Sequence, residues 1–141
     1  MAIWQNTFFI CPKKDNIERL IKNIDDIESI WNNYQFDINL FNFFEQLLKK
    51  TDSWSESILL FGSEESTCIE VYFDELVINY VRIRIDFQLD SEMIFEKIIE
   101  FCKNHNLIIF SEDMFQLNLD IKLIKEFIFN SKQLMKYNII N

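Results

Sequence analysis

The spacing of apolar residues changes period several times along the chain, and each change predicts an element. Thr7 to Ile10 is β-prone and closes at Pro12, which predicts a short first strand. From Asp15, a plausible N-cap, Ile17, Leu20, Ile21, Ile24, Ile27, Trp31 and Tyr34 follow the spacing of one helical face, with a break expected near Asp25-Asp26. After Asp37, Leu40, Phe41, Phe44, Leu47 and Leu48 form a second helical stripe that ends in "TDSWSES", with Lys49-Lys50 suiting the negative end of the helix dipole. At Ser57 the period becomes two. Ile58 to Phe61, Thr67 to Phe73 and Val77 to Phe87 predict three antiparallel strands, joined by turns at Gly62-Ser63-Glu64-Glu65 and at Asp74-Glu75.

Alternation assigns the faces of those strands. Ile69, Val71 and Phe73 share one side, as do Val77, Val81, Ile83 and Ile85; Glu70 and Tyr72, with Tyr80, Arg82, Arg84 and Asp86, take the other. A further helix is expected from Asp90-Ser91, carrying Ile94, Phe95, Ile98, Ile99 and Cys102 inward and ending at Asn104-His105-Asn106, where Asn accepts a left-handed cap. Leu107 to Phe110 reads as a short apolar strand, and a last helix runs from about Asp120 through Ile124, Phe127 and Ile128 to Ser131. The order β, α, α, β-β-β, α, β, α predicts one α+β domain over residues 1–141: an antiparallel meander sheet with helices packed on one face.

Composition narrows what such a domain does. The chain of 141 residues suits a single core, and its 49 % hydrophobic content with 15 Phe residues is that of a globular protein. A net charge of −9 argues against nucleic acid, whose binding needs a basic face to displace counterions. It favours a basic protein partner or serves solubility alone. Cys11, Cys68 and Cys102 are far apart, odd in number and without a C-x-x-C pair, which reads as reduced and cytoplasmic. The apolar patch ahead of Cys11 does not read as a signal peptide, because its first positive charge, Lys13, follows the patch and small residues are missing where a cleavage site would need them. No run approaches the roughly 18 apolar residues of a membrane span.

Candidate chemistry is sparse. His105 is the only histidine and lies three residues after Cys102, so a nucleophilic pair is conceivable. Cys102 falls on the apolar stripe, however, where a thiol is inert, and His105 falls at a helix end, where it answers the dipole. The carboxylate pairs Asp25-Asp26, Glu64-Glu65, Asp74-Glu75 and Glu112-Asp113 sit at turns, where exposed charge is ordinary. One glycine rules out phosphate-cradling glycine loops, and "GSEESTCIE" lacks the oxygen ladder of a calcium loop. No cofactor and no metal are expected, and the chain reads as a binding protein without catalytic residues.

The acidic stretch "FGSEESTCIEVYFDE" then becomes the feature to explain. Glu70 can be matched by Arg82 or Arg84 across the strands, whereas the turn acids have no evident mate in the pattern. Trp54 stands just ahead in a polar run, either as an interface anchor or folded back onto the core. The expected partner-binding surface comprises Trp54, Glu64, Glu65, Glu70, an exposed Tyr72, Asp74 and Glu75.

The succession "SWSESILLFGSEESTCIEVYFDE", "VRIRID", "FEKIIEFCKNHNLIIF" and a final Ile- and Phe-rich helix ending in "NSK", from about Ser53 to Tyr137, resembles small acidic immunity-type proteins encoded beside secreted bacterial polymorphic toxins. The resemblance implies a protein that binds its cognate toxin in the cytoplasm of the producing cell and blocks it. The alternatives are a regulatory interaction domain without a toxin, or an enzyme built on Cys102, His105 and a carboxylate. Reduced cysteines are directly testable: thiol titration of freshly purified, denatured protein should find all three of them free, and a lower count would establish a disulfide.

Overall fold

The computed structural model describes residues 5–86 and 92–130. The expected strand end at Phe87, helix start at Asp90-Ser91, helix end at Ser131 and the resemblance beyond Asn130 lie outside these residues. Among them, seven strands form one antiparallel sheet: β1 (Gln5–Pro12), β2 (Lys50–Thr51), β3 (Ile58–Gly62), β4 (Cys68–Asp74), β5 (Val77–Asp86), β6 (Leu107–Ser111) and β7 (Gln116–Leu117), in the order β2-β3-β4-β5-β1-β6-β7. Strands β3 to β5 are the expected meander, and β2, where the end of a helix was expected, adds a short strand at its edge. The first strand does not lie at an edge; it inserts between β5 and β6, and all eight of its residues are buried.

Cross-strand partners share a face, so register defines two surfaces. Phe8, Ile83, Ile69 and Phe61 stand side by side on one of them, each fully buried. Helices cover this side. Phe95 of α3 (Glu92–His105) meets Phe8 edge-on at 5.4 Å, and Phe127 of α4 (Ile121–Phe129) lies 6.3 Å from it. A 3-10 helix (Ile38–Gln46) brings Phe44 to 6.3 Å from Phe61, while Phe101 of α3 packs 4.8 Å from Phe44 and 5.1 Å from Phe41. The fold is the α+β domain expected, with its helices on one sheet face.

Three local expectations change. The stripe after Asp37 is a 3-10 helix and not an α-helix, capped by the Asp37 carboxylate, which accepts from the Asn39 amide at 2.9 Å. Its period explains this: Ile38, Phe41 and Phe44 recur every third residue, which stacks them on one side of a coil with three residues per turn. Leu40 is consequently exposed. The first helical stretch breaks earlier than expected, into α1 (Ile17–Leu20) and α2 (Ile24–Asn32). Asp26 does not break it, because its carboxylate accepts the Asn23 amide while the Asn23 side chain accepts the Asp26 amide, a reciprocal cap that starts α2. The turn at Asn16 takes the left-handed conformation, so Asp15 is not the N-cap.

The third change is in β5. Tyr72 pairs with Tyr80 but Phe73 pairs with Ile78, so Asn79 is an extra residue in the ladder, a β-bulge. Alternation beyond it is inverted: Ile78 is buried and Val77, expected inside, is 41 % exposed. Glu75 and Leu76 then close a two-residue hairpin with both φ angles positive, 49° and 72°.

Gly62 ends β3 at φ 90°, and a Cβ there would sit 2.3 Å from the Thr67 carbonyl oxygen. Because the obstruction is backbone, Gly62→Ala should destabilise the fold by about 2 kcal/mol or more. Urea unfolding checks this: the midpoint should fall at constant slope.

Candidate functional site

The second sheet face is polar and internally paired. Phe9, Arg82, Glu70 and Leu60 align across β1, β5, β4 and β3, and Thr7, Arg84 and Cys68 form the adjacent row. Glu70 is only 1 % exposed. It receives Arg82 in two-pronged fashion, Nε to Oε1 at 3.0 Å and Nη2 to Oε2 at 3.3 Å. The Tyr72 hydroxyl donates to Oε2 at 3.0 Å and accepts from Arg82 Nη2 at 2.6 Å. Arg84 Nε lies 3.4 Å from Oε1, within ion-pair range but off the line of a hydrogen bond, so its attraction is Coulombic. The opposite charges expected across these strands do pair.

Titration follows from this packing. Burial alone would lower the Arg82 pKa, but the hydrogen bond and the charge of Glu70 outweigh it, and the pKa is raised. Burial, reinforced by Glu70, also raises the Tyr72 hydroxyl. Cys68 is pushed up to about 12 by burial and then by Glu70, and Cys11 to about 12 by burial. These thiols are protonated at neutral pH and poor nucleophiles.

Sequence-predicted site residues separate into three groups. Trp54 is 74 % exposed and has not folded back onto the core. It lines one groove of about 340 Å³ with Asp52, Leu60, Gly62, Glu64 and Glu65. Glu70 and Tyr72 form the second group: the carboxylate is interior, and Tyr72, expected to be exposed, is half-buried and stacked on Tyr80 at 4.1 Å. Asp74 and Glu75 form the third, at the far end of β4, roughly 20 Å from the Gly62–Glu65 turn at the usual rise per residue.

The acidic turn is fixed in place by residues that sequence reasoning missed. Gln5 Nε2, from β1, donates to the carbonyls of Glu64, at 3.0 Å, and Ser66. Ser66 Oγ donates to Asp86 Oδ2 at 3.1 Å, and the Asp86 amide donates to Thr67 Oγ1 at 3.0 Å. Within the turn, the Ser66 amide donates to the Ser63 carbonyl at 3.0 Å. Glu64 Oε1 is buried and has no hydrogen-bond partner among the described residues. Their sequence signal was absent, since Gln5 and Asp86 are brought to the turn only by strand pairing.

The other candidate pair lies in apolar surroundings. Cys102 is fully buried and its pKa is raised by burial, while the His105 ring packs against Phe101 at 4.6 Å and Phe36 at 5.6 Å. Among the described residues no group of three or more His, Cys, Asp or Glu side chains is arranged to hold a metal ion, and no helix is long and apolar enough to cross a membrane. Comparison with protein-family models, with curated proteins and with solved structures finds no match for this chain.

The Glu70 network permits a stability test. Glu70→Ala leaves Arg82 and Arg84 facing each other without their counter-ion, and should cost roughly 3 kcal/mol. Glu70→Gln, which keeps an acceptor, should cost less. Chemical denaturation of both variants measures the order.

Proposed function

We propose that the protein is an interaction module whose Trp54 groove receives a basic protein partner, and that this partner is the toxin of a bacterial polymorphic toxin system, making the chain an immunity protein. One observation carries the reading: Trp54, Glu64 and Glu65, distant in kind and separated in sequence, line a single groove on a turn anchored from β1. An exposed Trp supplies a large apolar contact, and the carboxylates supply attraction for Lys or Arg. The toxin assignment draws on the resemblance of Ser53 to Tyr137 to immunity-type proteins; the geometry supports the basic partner, and the net charge of −9 accelerates encounter with one. The reading places the protein in the cytoplasm and gives it no catalytic step. Burial of the Cys102 thiol weighs against the enzymatic alternative.

The experiment titrates the protein against the toxin domain encoded beside its gene. Glu64→Lys with Glu65→Lys should weaken binding and remove much of its salt dependence, while folding stability changes by about 0.5 kcal/mol or less. Trp54→Ala should shorten the complex lifetime, and His105→Ala should leave binding and protection from the toxin intact. Unchanged affinity and salt slope in the charge-reversed protein would reject the groove, and loss of protection in the His105 variant at constant Tm would reject the non-catalytic reading.

A further inference from the structure

The hairpin between β4 and β5 displays an aliphatic pair at a conformational cost. A two-residue turn with both φ angles positive suits Asn-Gly, yet here it holds Glu75 at 49° and Leu76 at 72°, where a Cβ crowds the following carbonyl. Leu76 gains no burial in return, being 78 % exposed. The Asn79 bulge acts in the same direction, because it turns Val77 out of the core side and leaves it 41 % exposed. Two departures from regular strand geometry thus converge on adjacent apolar side chains at one tip, and such strain concentrates where a surface is used.

A groove of about 610 Å³ opens beside the tip, bounded by Leu76, Val77, Tyr34, Phe36, Asn33 and Asp37. Tyr34 is 37 % exposed. Of the exposed acids near it, Asp37 lines the groove and Asp74 and Glu75 flank the tip; no Lys or Arg lines the groove itself, and Lys50 lines the adjoining hollow that shares Asp37 and Leu76. An anionic rim around an apolar ridge complements a cationic segment that alternates charge with aliphatic residues, and it repels the anionic surface of a bilayer.

We infer that the Glu75–Leu76 hairpin tip and the adjoining Tyr34 groove form a second docking surface, which takes a basic amphipathic segment of a protein partner. It is independent of the Trp54 groove. The tip-side surface adjoins Leu59 and Phe73, whereas the Trp54 groove adjoins Leu60, the next residue of β3, which points to the opposite face.

The test uses the full chain and a short amidated peptide of alternating Lys and Leu, followed by backbone amide shifts. Shifts should concentrate on Tyr34, Leu76 and Val77; shifts confined to Gly62–Glu65 would overturn the inference while leaving the Trp54 groove in place. Leu76→Gly removes the side chain and relieves the left-handed strain, so it should bind the peptide about tenfold more weakly while Tm holds or rises. Unchanged affinity, or a fall in Tm that marks the leucine as structural, overturns it. Absence of peptide binding by the wild type does so too, as does binding of phosphatidylserine vesicles in preference to the peptide.

Discussion

The structure depends on β1 occupying the centre of its sheet. A strand with hydrogen-bonded neighbours on both sides has no edge, and here both of its faces are buried as well. Phe8 and Ile10 point toward the helices, so the chain's beginning supplies the seat on which α3 and α4 pack. The Trp31 indole reinforces the same strand by donating to the Ile10 carbonyl at 2.9 Å. Pairing β1 with β5 and β6 closes long loops, which costs chain entropy before any contact repays it. The meander β2 to β5, whose connections are short, forms without that cost.

That central position also shapes the polar face. Arg82 and Arg84 lie opposite Phe9 and Thr7 of β1, so they are flanked by buried chain on one side and by Glu70 and Cys68 on the other. Charges in such a place must be compensated internally, and the two-pronged Arg82–Glu70 pair with its Tyr72 bridge does this. Glu70 is consumed by the fold, while Glu64 and Glu65 belong to a turn whose backbone is tied by Gln5 and which lines a groove.

Sequence pattern carried the meander well, because strict alternation and two turns leave one register that buries Ile69, Val71, Ile83 and Ile85 together. It also carried the Glu70–Arg82 match. The place of β1 was not legible, since local periodicity reports that a strand exists and not where it inserts. The bulge left one visible trace: extending the apolar set of β5 back to Val77 puts Asn79 on the core face, a polar residue that the extra position at Asn79 in fact accounts for. The 3-10 helix left another in its period of three. For the site, the grouping of Trp54 with Glu64 and Glu65 was legible as neighbouring exposed segments, but its support by Gln5 and Asp86 is a product of tertiary pairing.

The five acids that look like one cluster in the sequence, from Glu64 to Glu75, do not act as one field. The two turns at the ends of β4 are separated by roughly 20 Å, more than twice the screening length of about 8 Å at physiological ionic strength. Each turn therefore steers only what approaches its own end. Between them Glu70 is neutralised by arginine, and Asp86 is engaged by Ser66. Because the strand joining the two ends is rigid and paired on both sides, a ligand that engaged both would gain from a fixed spacing and not from flexibility. The opposed orientation of Leu59 and Leu60 removes that option for a flat partner, so under the proposed reading each end relies on its own exposed apolar residue, Trp54 at one and Leu76 at the other.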